Sequence, residues 1–127
     1  MDSSVAEGLS GLMQWSEPVI FDRLRDAYSR NVVDPPTAWR LARLHARVWR
    51  ALISGEMDRF ETLRGELVGE LAEQGLDLDC LADADAGTMT ELLEIVIARY
   101  RGSQRVAKGY HLALMALAGR LTTAQAA

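Results

Sequence analysis

Proline is confined to the front of this chain, and that placement limits the available folds more than any other feature. The three prolines stand at Pro18, Pro35 and Pro36. From Thr37 onward the sequence is rich in Leu, Ala, Arg and Glu, all strong helix formers. No stretch sustains the period-two alternation of a half-buried strand. The expected fold class is all-α, and 127 residues suit a single domain over 1–127 with one sizeable core.

The apolar spacing predicts about six helices. The first spans Val5 to Trp15. Ser16 reads as the cap of a second, with Pro18 in a first turn where its missing donor costs nothing. That helix carries Ile20, Leu24 and Tyr28 and ends before Asp34. Thr37 reads as the cap of a third, with Leu41, His45 or Leu44, Val48 and Leu52 on its apolar line and Gly55 as its stop. The fourth, about Glu56 to Gln74, has an acidic first turn and a Gly75-Leu76 stop. An acidic linker through Gly87 is expected to lead to a fifth helix from Thr88 to about Arg101. After Gly102-Ser103, a sixth runs to about Thr122, and the tail TTAQAA is expected to fray.

Composition excludes several classes. The net charge of −4 speaks against a generic nucleic-acid binder. No apolar run has the length of a membrane span, and MDSSVAEGLSG has no basic region leading into an apolar one, as a secretory signal would. Cys80 is the single cysteine, so no internal disulfide forms, and a reducing cytoplasm is the expected compartment. Its neighbours Leu78, Leu81 and several acidic residues favour a structural thiol over a reactive one.

The stretch AWRLARLHARVWRALISGEMDRFETLRGELVGELAEQGL, residues 38–76, resembles the middle of the globin-like sensor domains (globin-coupled sensors and protoglobins) that precede bacterial chemoreceptor, kinase and cyclase modules. The shared layout is a helix with Trp49, a Ser54-Gly55 break, a second amphipathic helix and the Gly75-Leu76 stop. A looser match continues into ELLEIVIARYRGSQR and the closing helix. In haem-binding members a histidine stands four residues before that glycine; here the position is Leu71. The resemblance therefore implies a globin-like bundle without haem, truncated at its front end, in a cytoplasmic sensor of signal transduction such as chemotaxis. It also implies signalling through a change of helix packing, with an output module or protein partner beyond Ala127. The vacated region, lined by Val48, Leu52, Leu67 and Leu71, would be the first place to look for an apolar ligand.

No other pattern carries chemistry. Of the two histidines, His45 lies one helix too early and His111 too late to ligate haem iron from the matched position. Asp83, Asp85 and Glu94 occupy the first, third and twelfth positions of a calcium loop, but Gly87 falls fifth where glycine is needed sixth. No nucleophile–histidine motif or phosphate loop is present, so neither enzyme activity, metal nor cofactor is expected. Trp39, Trp49, Phe60 and Tyr110 read as core.

Two surfaces remain. HLALMALAG is apolar nearly all round and Ile95, Val96 and Ile97 follow one another. A homodimer with a four-helix interface, formed by Ile95, Val96, Tyr110, Leu114, Leu117 and Leu121, would bury such helices. Arg40, Arg43, Arg47 and Arg50 line one face of the third helix. They define the alternative function, a helical adaptor that binds a protein partner.

Overall fold

The computed structural model describes the backbone of residues 3–126 and the side chains of residues 3–122. Six helices follow one another: α1 (Ser3–Trp15), α2 (Glu17–Ser29), α3 (Pro35–Ser54), α4 (Met57–Glu73), α5 (Leu78–Arg99) and α6 (Gln104–Ala126). No strand occurs among the described residues. α6 runs through the tail that the sequence marks for fraying, and Ala127 lies outside the described residues.

Three helix starts depart from expectation in position or in capping, each for a local reason. Ser16 holds the N-cap position of α2 with Pro18 in the first turn, as expected, but its side chain makes no capping bond: its hydroxyl donates back to the Leu12 carbonyl at 2.5 Å, and α1 runs into α2 almost without interruption. α3 begins at Pro35, because Asp34 is the cap and its carboxylate accepts the Thr37 amide at 3.1 Å. Both prolines then occupy first-turn positions, where no intrahelical donor is required.

The third correction is the largest. The acidic stretch after Asp77 is not a linker but the first half of α5. Asp77 caps it by accepting the Cys80 amide at 3.2 Å. Leu81, Ala84, Asp85, Thr88 and Leu92 then fall on one buried face at helical spacing. The segment that a calcium loop would need is therefore continuous helix, with Asp83 exposed and Asp85 buried.

Two glycine stops behave as read. Gly55 and Gly75 adopt φ of 78° and 71°, a conformation that L side chains avoid. After Gly75, the Leu76 amide reaches the Leu71 carbonyl at 2.9 Å and the Gly75 amide reaches Ala72, which together make a Schellman motif.

The helices share one continuous core. α1 packs along α6, α2 against both α3 and α5, α3 against α4, and α5 against α6, while α4 leans chiefly on α3. Trp49, Tyr28 and Phe60 are the largest side chains sealed inside. Trp39 instead lies on the surface, 45% exposed, edge-on to Phe21 and beneath the Arg25 guanidinium.

The α1–α6 crossing depends on missing side chains. A Cβ on Gly8 would sit 2.3 Å from the Gly109 carbonyl oxygen and 2.9 Å from the Ala113 Cβ. Gly8→Ala is therefore expected to destabilise the chain by about 1–3 kcal/mol through overpacking. Gly69→Ala, on an exposed position of α4 with open space around it, should stabilise by about 0.5–1 kcal/mol. Urea unfolding of both variants measures this pair of opposite signs.

Candidate functional site

α3 divides its residues cleanly. Ala38, Leu41, Ala42, His45, Val48, Trp49 and Leu52 recur at three- and four-residue spacing and are buried, while Arg40, Arg43, Arg47 and Arg50 face solvent. The buried side holds a polar cluster that joins three helices. The Tyr28 hydroxyl on α2 lies 2.7 Å from His45 Nδ1, His45 Nε2 lies 2.7 Å from Asp85 Oδ1 on α5, and Trp49 Nε1 donates to the same oxygen at 2.9 Å. His45 is fully buried and Asp85 is 5% exposed.

A neutral imidazole with its proton on Nε2 satisfies every group. Tyr28 donates to Nδ1, Nε2–H donates to Asp85, and the carboxylate accepts from His45 and Trp49 together. Burial pushes the Tyr28 hydroxyl well above the ordinary tyrosine range, and the nearby Cys80 and Asp85 push it further. It remains a donor at any physiological pH. The Cys80 thiol is likewise raised, by burial first and then by Asp77 and Asp83, so it is poorly disposed to act as a thiolate.

This triad resembles nucleophile–base–acid sets in composition only. Its hydroxyl is buried in the core, where its hydrogen bond ties α2 to α3. In the sequence alone His45 is one candidate for an apolar line and Asp85 falls in the expected linker. The one available signal was the coincidence of Tyr28, His45 and Asp85 on the inward faces of their helices, and it required α5 to begin ten residues earlier.

The four residues expected to line an apolar ligand region are all inside. Val48 and Leu52 of α3 and Leu67 and Leu71 of α4 belong to the core, with Leu71 only 1% exposed. Two hollows are lined by other residues. One of about 480 Å³ runs between the front helices and the α3–α4 turn, lined by Met13, Glu17, Arg47, Arg50, Ser54 and Arg59 among others. One of about 380 Å³ follows the α5–α6 seam past Ala86, Met89 and Ala118.

The residues expected at a dimer interface are mostly occupied within the chain. Val96, Tyr110, Leu114, Leu117 and Leu121 are buried, and Ile95 is half-buried. Tyr110 accepts a hydrogen bond from Trp15 Nε1 at 3.1 Å and stacks on Tyr100. The large apolar side chains that α5 and α6 do expose are Leu78 and Ile97 on the first, and Val106 and Met115 on the second, with Ile97 at 55% and Met115 at 59%.

The arginines of α3 are all exposed but not equivalent. Arg40 lies 3.2 Å from Glu70 Oε2, out of line for a hydrogen bond, and Arg50 lies 3.6 Å from Glu17. Arg43 and Arg47 make no ion pair among the described residues. No group of three or more His, Cys, Asp or Glu side chains among the described residues is placed to hold a metal ion, and no helix is long and apolar enough to cross a membrane. Protein-family models, curated proteins and solved structures yield no match to this chain.

Removing the Tyr28 hydroxyl tests the buried cluster. Tyr28→Phe leaves His45 Nδ1 without its donor and should cost about 1–3 kcal/mol at neutral pH. Because the folded hydroxyl titrates above its unfolded value, its stabilising contribution is full below about pH 10 and is lost as the pH climbs further. Unfolding measured across the alkaline range should therefore fall less steeply in Tyr28→Phe than in the parent chain.

Proposed function

We propose that this chain is a non-enzymatic regulatory domain of bacterial signal transduction, built on a globin-like helical scaffold without haem. It works as a cytoplasmic homodimer, and its signal is a change in how the last two helices pack. The observation that carries this reading is Leu71. It stands where the resembling domains place an iron-holding histidine, its side chain faces the core, and its own carbonyl takes part in the Gly75 helix stop. A leucine offers iron nothing, but it fills that space with apolar volume. A scaffold that keeps the shape without the ligand is suited to relay packing rather than to bind gas.

Because Val96, Tyr110, Leu114, Leu117 and Leu121 are buried within the chain, the pairing ridge in this reading is made by the less buried Met89, Leu93 and Ile97 on α5 and Met115 on α6. Two such ridges about a two-fold axis give a four-helix contact. Displacement there reaches α2 and α3 directly, because Asp85 on α5 holds His45 and, through it, Tyr28.

Ile97→Glu with Met115→Glu is expected to convert the dimer to monomer while leaving helical circular dichroism unchanged, as read by sedimentation across a dilution series. Incubation with haemin should give no stoichiometric Soret band. A parent chain that is monomeric at every concentration, or a Soret band at one haem per chain, overturns the reading.

The adaptor reading has a specific observation in its favour. α3 carries four arginines and no acidic residue along its whole length, in a chain whose net charge is −4. Arg40 and Arg50 each have a carboxylate nearby, but Arg43 and Arg47 have no ion-pair partner among the described residues, and such charges are suited to a partner of opposite sign.

A further inference from the structure

The arginine face of α3 continues into a groove that also draws on α4 and the front of the chain. Arg43, Arg47 and Arg50 sit at i, i+4 and i+7, so they form a row about 10 Å long, nearly two helical turns. Arg59, in the first turn of α4, joins Arg47 and Arg50 on the wall of the 480 Å³ hollow. Met13 and Ala51 supply its apolar lining, and Glu17 and Glu56 stand among the arginines. Arg47 and Arg59 have no ion-pair partner among the described residues, and Arg50 meets Glu17 only at 3.6 Å, with both side chains more than half exposed. The guanidinium donors of this groove are therefore largely free to bind carboxylates in bidentate fashion.

Resting on the reading of α3 as a partner-contact surface, we propose that this groove seats a predominantly acidic helical segment of a partner protein. The partner's carboxylates would meet Arg47, Arg50 and Arg59, and an apolar side chain would meet Met13 and Ala51. The two groove carboxylates decide the class of partner. A nucleic-acid strand carries a negative charge at every phosphate and would be forced against Glu17 and Glu56. A peptide helix can set a lysine or an amide opposite those positions and glutamates elsewhere. The row length also suits successive turns of a helix better than one compact anion.

The test uses the full chain and a fluorescein-labelled amphipathic peptide of Glu and Leu with an interspersed Lys, read by fluorescence anisotropy. Binding is expected at low salt, with affinity falling about tenfold or more toward high salt as the charges are screened over ~8–10 Å. Arg47→Glu with Arg59→Glu should weaken binding by about tenfold or more, in line with reversal of close charge pairs. Arg101→Glu, in the turn between α5 and α6, should leave it unchanged. All three positions are exposed, so circular dichroism should show intact helices.

Equal loss from Arg101→Glu would mean non-specific charge attraction and overturn the proposal. So would tighter binding of a single-stranded oligonucleotide than of the peptide. Loss on Arg40→Glu with Arg43→Glu but not on Arg47→Glu with Arg59→Glu would retain α3 as the contact surface and reject the groove. Indifference to all of these changes, or no binding at all, rejects both.

Discussion

One carboxylate oxygen organises the interior of this protein. Asp85 Oδ1 accepts from His45 and from Trp49, and His45 in turn holds Tyr28, so a single atom indexes α5 against α3 and, through an imidazole, against α2. Hydrophobic contact is indifferent to small rotations of a helix about its axis, whereas three hydrogen bonds of 2.7–2.9 Å are not. Such a group is costly to bury unpartnered, so conformations that separate these helices are disfavoured more steeply than apolar burial alone would make them. A buried polar cluster of this kind selects one packing among many that Leu and Ala would tolerate.

The front of the fold follows a different logic. α1 is held to α6 by the absence of side chains at Gly8 and Gly109, which brings the two backbones close enough for direct van der Waals contact. The aromatic set of Trp15, Tyr100 and Tyr110 closes the same end of the bundle with edge-on and stacked rings. The centre is thus fixed by donors and acceptors, and the periphery by shape.

Helix identity was legible from the amino-acid pattern because periodicity is a local property. Gly55 and Gly75 mark their stops without help from anything distant. The N-terminal ends were harder to read: Asp34 and Asp77 each displaced a cap assigned further along, since any short polar residue near a helix start competes for the same amides. Treating Asp77 to Gly87 as a linker followed from its charge, yet alternation of Asp with Leu and Ala is as compatible with a helix that turns one aspartate inward. Asp85 could not be paired with His45 by inspection, because forty residues separate them and only the tertiary fold supplies the meeting. The same holds for the interface residues. Apolar character showed that α5 and α6 bury a face, but not that α1 and α2 already cover most of it.

α4 stands apart from this tightly indexed frame. It is bracketed by the left-handed glycines at 55 and 75, rests chiefly on a single neighbour, and carries exposed glycines at 65 and 69. Free-energy cost of opening is set by contacts released, and opening this helix would release contacts chiefly with α3 alone. Local opening at this edge of the bundle would uncover Leu67 and Leu71 while leaving the hydrogen bonds among Tyr28, His45 and Asp85 in place.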